Sequence, residues 1–414
     1  MLDAASLNLN PAPANTMHVD LNSAFASIEQ QNRPHLRGLA VAVAPYAHRS
    51  STIISASREA RALGIKTGMR VWQAMPLLPD LLVVEPHPSE YREVSAKMME
   101  LLASYSPDVL PLSIDEAVVD LAFTPSEKRN RIELGREIKA RLQSEVGDFL
   151  TCSIGFGPNS FLAKTAAGLV KPDGLEILDA SNLLEAFAKL SLTDLHGIAS
   201  ANATKLRACG ILTPLDFLAA SAHTLRHEVF GSIVGEAWHL RLRGYEVDFH
   251  THATKSVSHS HVLPTPTASS EELATLVAKL ADKLGRRLRS SKFAAAKLDV
   301  VLRTEAGVSH HAYSHHPRLY ASSDINAAAQ ALCLQMHVRE PIRFVSLALS
   351  RLSEAEVSQL DFFTPASPSS ERIAALIDQL RDRFGEEALM PARLAGKKSL
   401  APDRIAFGRL TRPS

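Results

Sequence analysis

The hydrophobic pattern switches along the chain between alternation and helical spacing, and each switch marks an element. TMHVD (16–20) reads as a short buried strand, and LNSAFASIEQQ after it as a helix with Asn22 or Ser23 near its start. GLAVAVA (38–44) and STIISAS (51–57) are apolar and β-branched, as strands are, and REARALGI is a helix stopped by Gly64. Apolar residues recur at helical spacing over 91–106, and VLPLSIDEAVVDLA (109–122) alternates as a hairpin with its turn at Ser113 to Glu116. A helix follows over 132–145, then a strand in FLTCSIGFG (149–157) and a helix in SFLAKTAAGLV (160–170) closed by KPDG. Mixed order with hairpins implies an α+β sheet domain.

From 182 to about 245 the pattern is nearly all helical, and DLHGIASANATKLRACGI predicts two short helices around a glycine turn. Beyond the polar connector DFHTHATK the elements run strand, helix, strand, strand, helix, strand, which is the ferredoxin-like split βαβ signature. The first fifteen residues read as a loose tail, and the segment from Ser353 onward as another tail containing an amphipathic helix, ERIAALIDQLRDRFG. No internal repeat or low-complexity tract interrupts this order.

At 414 residues the chain is expected to hold two to four domains, and 46% hydrophobic residues suffice for their cores. No run of eighteen apolar residues and no signal-peptide pattern is present, so a membrane protein is not expected. Three separated cysteines, Cys152, Cys209 and Cys333, fit a reducing cytoplasm and argue against a disulfide framework or thiolate zinc site. The net charge of +1 hides an asymmetry: from Lys255 to Arg351 there are 13 Lys/Arg against 7 Asp/Glu, and the remainder is net acidic. One domain facing phosphate and another carrying carboxylates for metals would produce this; so would a solvated helix face.

Asp20 ends a strand, and Asp115-Glu116 sit at a hairpin turn. These are the pieces of a divalent-metal site, because Mg²⁺ takes a few hard carboxylate oxygens along with substrate phosphates. Two such ions about 4 Å apart clamp both oxygens of an in-line phosphoryl displacement. A helix cap and two turn acids is the plainer alternative. Against it, Ile114, Ala117, Val118 and Val119 make the acids interruptions in a buried strand.

Four blocks then carry a resemblance: MHVDLNSAFASIE, SASREARALGIKTGM, PLSIDEAVVDL and SIGFGPNSFLAKTAAGLVKPDGL. In this order and spacing they resemble Y-family (translesion) DNA polymerases, the bacterial polymerase IV class, over residues from Met17 to about Leu352. The resemblance implies an α+β multidomain right-hand polymerase with palm, fingers, small helical thumb and ferredoxin-like little finger. Its expected boundaries are 1–25 and 88–178 for the palm, 26–87 for the fingers and 179–248 for a thumb with a helix-hairpin-helix-like element. The little finger then spans 253–353 and the tail 354–414. It further implies that Asp20 and Asp115 bridge two Mg²⁺ ions (Mn²⁺ as an alternative), with Glu116 on the ion at the primer end and the Leu21 carbonyl on the nucleotide side. Phe25 matches the steric gate that excludes a ribose 2′-OH; as a residue alone it could equally be core. Ser55, Arg61 and Lys171 match contacts to the triphosphate of a deoxynucleotide, whereas Lys164 could simply snorkel from its helix.

Departures from the family pattern fall around that pocket. Arg58 stands in place of a tyrosine, Asn22 and Ala24 in place of an acidic and an aromatic residue, and Ser160 and Gly168 in place of polar ones. HGIA (196–199) stands where PGVG is usual. Toward the C-terminus Lys255, Arg286, Arg287, Arg289, Lys292, Lys297 and Arg303 lie on one helix and its adjacent strands, matching a little finger that grips primer-template DNA through phosphates. Gln359-Leu360-Asp361-Phe362-Phe363 resembles the peptide that binds the bacterial sliding clamp; docking on its own domain is the alternative. The expected function is non-proofreading translesion DNA synthesis by a cytoplasmic monomer. The competing expectation is a clamp-tethered DNA-binding accessory protein with little synthesis, and a nucleotidyl cyclase is disfavoured by the basic C-terminal unit.

Overall fold

Met17, Val19 and Leu21 of the first strand enter a hydrophobic core, so strand alternation sends His18 and Asp20 to the opposite face. The computed structural model describes residues 7–247, 254–355, 369–385, 388–396 and 401. Two compact units meet in the chain near residue 250. In the first unit the strands are β1 (Thr16–Leu21), β2 (Val41–Val43), β3 (Ser55–Ala56), β4 (Leu82–Val84), β5 (Val109–Pro111), β6 (Glu116–Asp120), β7 (Cys152–Gly157) and β8 (Leu175–Ile177). They form a five-stranded sheet, β5-β6-β1-β7-β8, and a three-stranded sheet, β3-β2-β4.

The helices of this unit are α1 (Ala24–Asn32), α2 (Arg58–Ala62), α3 (Val71–Ala74), α4 (Pro88–Ala103), α5 (Arg131–Arg141) and α6 (Ser160–Leu169), followed by α7 (Leu183–Ala188), α8 (Ser200–Ala208), α9 (Pro214–Ala219), α10 (Ala222–Thr224) and α11 (Val234–Leu242). α4 and α5 bring Met98, Leu101, Leu102, Leu134 and Ile138 onto the Met17/Val19 face of the larger sheet. α6 lies on the other face, so close that a Cβ on Gly155 would come within 2.1 Å of the Ala163 carbonyl. Gly155 pairs with His18 across β1 and β7, and the α6 backbone over it leaves no room for a side chain.

Two expectations change. The segment 51–57 keeps only Ser55–Ala56 as strand, because Ile53 N–H donates to Met69 O and Gly68 N–H to Ile53 O, spending its backbone on the following loop. The N-terminal stretch is not loose from residue 7 onward. Leu7 and Ala14 are buried, and the Arg243 guanidinium donates to Leu7 O at 2.9 Å, tying the stretch to the helical region.

The second unit contains β9 (Ser256–Thr267), α12 (Ser270–Ser290), β10 (Phe293–Thr304), β11 (Ser309–Leu319), α13 (Ser322–Gln335) and β12 (Ile342–Glu354), then α14 (Ser369–Phe384). The sheet order is β11-β10-β12-β9 with all neighbours antiparallel. Each βαβ unit is therefore split by a strand from the other, as expected. Leu276, Leu280, Leu284 and Leu288 of α12 and Ile325 and Leu332 of α13 pack on Leu298, Val300, Leu302, Val345 and Leu347. Both helices thus cover one face, and Lys297, Asp299 and Arg303 point from the other. The seven basic residues do not form one cluster: those on α12 and those on β10 lie on opposite sides of the sheet.

α14 accounts for the helix side. Arg289, buried, donates from Nε and Nη2 to both oxygens of Asp378 at 2.6 and 3.0 Å. Arg286 pairs with Asp382 at 2.8 Å, and in return Arg381 of α14 pairs with Asp282 of α12 at 3.1 Å. Arg318 pairs with Glu371 at 2.9 Å. The amphipathic tail helix is docked by its polar face, leaving Ile373, Leu376, Leu380 and Phe384 exposed.

Candidate active site

Register across the large sheet assembles the acids. Asp20 and Glu116 are direct partners in the β1–β6 pairing, so two residues almost a hundred positions apart share one face. The Leu21 N–H donates to the Asp115 carbonyl at 2.9 Å, fixing the hairpin turn against the end of β1. One ligand atom each from His18, Asp20 and Glu116 lies within 4.8 Å of the others.

The charges around these acids are unevenly balanced. Lys171 Nζ lies 2.8 Å from Asp20 Oδ2, and Lys164 Nζ lies 2.7 Å from Glu116 Oε2. Burial works to raise the Glu116 carboxyl, but His18 and Lys164 override it and hold it at about 2. His18 Nε2 approaches Glu116 at 3.4 Å, a long contact, and neither buried His18 nitrogen has a well-formed hydrogen bond. Asp115 shifts the other way: burial raises its carboxyl, and the Asp20 and Glu116 charges add to it against hydrogen bonds from Ser113 and from the backbone. Crowded hard oxygens of this kind suit a divalent cation, and the donor set fits one.

An open cavity of about 810 Å³ joins most of the residues expected to bind nucleotide: Asp20, Leu21, Phe25, Ser55, Arg58, Arg61, Asp115 and Lys171 all line it. Glu116, the cross-strand partner of Asp20, is not among the lining residues. Phe25 is 3% exposed and stacks on buried Tyr91, with centroids 4.7 Å apart and planes 9° from parallel. The Tyr91 hydroxyl in turn donates to the buried carboxylate of Glu29, which also receives Arg33 at 2.7 Å. The ring at 25 therefore rests on a fixed platform, which residue spacing alone did not reveal.

Ser55 is buried and used locally, accepting from the Ala26 N–H at 3.3 Å and donating to Ser23 O at 3.2 Å. Arg61 is braced by Ala56 O and Thr67 Oγ1, whereas Arg58 is exposed at the start of α2. Asn22 turns its amide toward Ser153 and Asp173. A second cavity, of about 590 Å³, runs from Asp20 past Lys164 to His196 and Gly197. There Gly197 has φ +89°, and its α-carbon faces the Trp238 ring.

Comparison with known proteins bears on this geometry. Residues 19–168 match the impB/mucB/samB family model, and residues 254–362 match the model of that family's C-terminal domain. DNA polymerase IV 1 of Bacillus subtilis is 33% identical over 402 residues, covering 95% of this chain and 96% of the relative. The chain belongs to the impB/mucB/samB family. DNA polymerase IV of Pelotomaculum thermopropionicum is 32% identical over 90% of this chain and 93% of its own length. A solved Y-family DNA polymerase chimera matches with a TM-score of 0.70 at 23% identity, over 81% of this chain and 98% of that one. An insertion ternary complex of Dbh DNA polymerase matches with a TM-score of 0.55 at 23% identity over the same shares. The fold of this family member is thus the right-hand architecture of palm, fingers, small helical thumb and ferredoxin-like little finger.

The expected DNA contacts of the C-terminal unit divide. Lys255, Arg287 and Lys292 are exposed, whereas Arg289 is committed to Asp378. On the open sheet face Lys297 sits over the Tyr313 ring at 4.6 Å and beside Asp299 at 2.7 Å, and Arg303 lies over Phe344 at 5.3 Å. His311 and His315 of β11 share this face, paired with Val301 and Lys297. Alternation within β11 was the signal that would have found them. Gln359, Leu360, Asp361, Phe362 and Phe363 lie outside the described residues. Among the described residues no helix is long and apolar enough to cross a membrane.

Proposed function

We propose that this chain is a DNA-directed DNA polymerase of the translesion type, extending a primer on a template without proofreading. The primer 3′-hydroxyl attacks the α-phosphorus of a deoxynucleoside triphosphate, a new phosphodiester bond forms, and pyrophosphate leaves. The direct pairing of Asp20 with Glu116, together with the meeting of Asp20 and Asp115 with Arg58 and Arg61 in one cavity, is what most supports this reading. The five-stranded sheet serves as palm, the three-stranded sheet as fingers, the helices from α7 to α11 as thumb and the second unit as little finger.

Asp20 and Asp115 are proposed to hold two Mg²⁺ ions in common, Mn²⁺ being able to substitute, with Glu116 at the primer side and the Leu21 carbonyl at the nucleotide side. When bound, such ions stabilise the charge that develops on the transferring phosphoryl group. The protein's own residues do the positioning. Lys171, Arg58 and Arg61 receive the triphosphate, with a guanidinium at 58 supplying charge where relatives carry a tyrosine. Ser55 orients the start of α1 beneath it. Phe25, held on Tyr91, closes the space a ribose 2′-OH would need.

Duplex DNA is assigned to the open face of the little-finger sheet, through Lys297 and Arg303, and to exposed Lys255, Arg287 and Lys292. The peptide 359–363 is assigned to a bacterial sliding clamp, and the enzyme is taken to act as a cytoplasmic monomer. A complete acidic set gives no support to the alternative of an inactive accessory protein. Primer extension by the wild type beside Asp115→Ala/Glu116→Ala tests the proposal. Extension by the wild type and none by the double variant is expected; absence from both, with DNA binding intact, overturns it.

A further inference from the structure

The loop 171–174 brings Lys171 into the cavity, and one residue of that loop is gripped from two sides. The Asp173 N–H donates to Asn22 Oδ1 at 2.8 Å. From the other side Lys139 of α5 donates to Asp173 O and lies 2.9 Å from the Asp173 carboxylate. Asp173 has φ +60°, in the left-handed region that aspartate adopts more readily than most non-glycine residues. The next position is packed closely enough to need glycine, since a Cβ on Gly174 would lie 1.9 Å from Val170 O.

Three of the four hydrogen-bonding positions of the Asn22 amide are engaged in this grip. Nδ2 donates to Ser153 Oγ at 2.9 Å, and Oδ1 accepts from Thr151 Oγ1 at 3.2 Å as well as from Asp173. Ser153 Oγ also accepts from the Gly174 N–H at 3.3 Å, and the Asn22 N–H donates to Thr151 O at 2.9 Å. A carboxylate at position 22 could accept from Asp173 and Thr151 but has no hydrogen for Ser153. The amide therefore links the strand end that carries Asp20 to the loop that carries Lys171, two residues from each.

We infer that Asn22 and Lys139 are positioning residues that set where the Lys171 ammonium stands, and thereby how tightly the incoming triphosphate is held. The inference rests on the proposed contact of Lys171 with the triphosphate. Lys139 does not line the cavity, so any effect it has on nucleotide affinity must pass through the loop.

Single-nucleotide insertion by the full chain on primer-template DNA, with deoxynucleotide titrated, separates the possibilities. Lys171→Ala should raise KM about tenfold or more, and Lys139→Met about fivefold with kcat nearly unchanged, as expected for lost positioning of a binding group. The double variant should show no rise beyond that of Lys171→Ala, because both substitutions remove the same contact. Asn22→Asp, which keeps two acceptor contacts, should raise KM less than Asn22→Ala. Thermal unfolding, followed in parallel, should leave Lys139→Met close to wild type. KM unchanged in Lys139→Met while Lys171→Ala raises it, or effects that multiply in the double variant, would overturn the inference alone. KM unchanged in Lys171→Ala would instead remove the triphosphate contact, and the inference with it. Should Asn22→Ala fail to fold, the Lys139 and Asn22→Asp arms decide.

Discussion

The palm and the little finger treat charge in opposite ways. In the palm three carboxylates converge with incomplete compensation, so that Asp115 is pushed up by burial and by its acidic neighbours. In the little finger three arginines of a basic stretch are paired within the unit, because α14 supplies Asp378 to Arg289, Asp382 to Arg286 and Glu371 to Arg318. Uncompensated charge marks where a ligand of opposite sign is wanted; compensated charge mainly holds the fold together. A count of Lys and Arg along a segment cannot separate the two, since the partners lie in a helix 53 to 96 positions downstream.

The comparison breaks most easily at the acids. Asp115→Ala should lower primer extension by about a thousandfold or more, the scale expected when charge stabilisation at a transferring phosphoryl group is lost. DNA affinity should be unaffected. A loss of less than about tenfold by steady-state insertion assay would show that the crowding is incidental.

Next in size is Arg289→Ala. Removing a buried guanidinium from a bidentate pair leaves Asp378 without its partner, and the cost is roughly 2–3 kcal/mol after allowing for the partial exposure of the aspartate. The effect should be seen in denaturant unfolding. The salt dependence of DNA binding should stay that of the wild type, because this arginine faces α14 rather than solvent. A change in salt slope with stability intact would return Arg289 to the DNA surface.

Much of this was legible in the sequence, for reasons that differ by residue. Asp20 and Asp115-Glu116 could be read because a strand end and a tight hairpin fix side-chain direction within a few residues. The split βαβ order of the second unit was readable from alternation and helical spacing. The role of Asn22 was not legible: its amide turns to Ser153 and Asp173, contacts that depend on the three-dimensional approach of β7 and its following loop. Tyr91 beneath Phe25 was invisible for the same reason. The seven basic residues looked like one patch because the two faces of a sheet alternate residue by residue, and only the position of α12 says which face is covered.

On the open sheet face smaller effects are expected. Lys297→Ala and Arg303→Ala should each weaken duplex binding about three- to tenfold at low salt and lower the slope of log K against log salt by about 0.9, the contribution of one phosphate contact. Titrations at several salt concentrations read both quantities. Equal weakening at every salt concentration would mean that packing on Tyr313 and Phe344, rather than charge, is what these residues provide.

Arg286→Ala should do least, and its smallness discriminates. Its pair with Asp382 is exposed on the acidic side, with the Asp382 side chain 68% accessible, so the pair contributes about 0–1 kcal/mol. Water can hydrate the aspartate once the arginine is gone, in contrast to Asp378 beside buried Arg289. Because Arg286 sits on the helix face toward α14, the slope of DNA binding against salt should not move either. Two neighbouring arginines on one helix, 286 and 289, would then differ in stability effect and agree in having no role at the phosphate backbone. If Arg286→Ala instead lowers the salt slope by about 0.9, α14 must yield its place to DNA, and the paired charges of the little finger would be a competitor for the duplex rather than part of the fold.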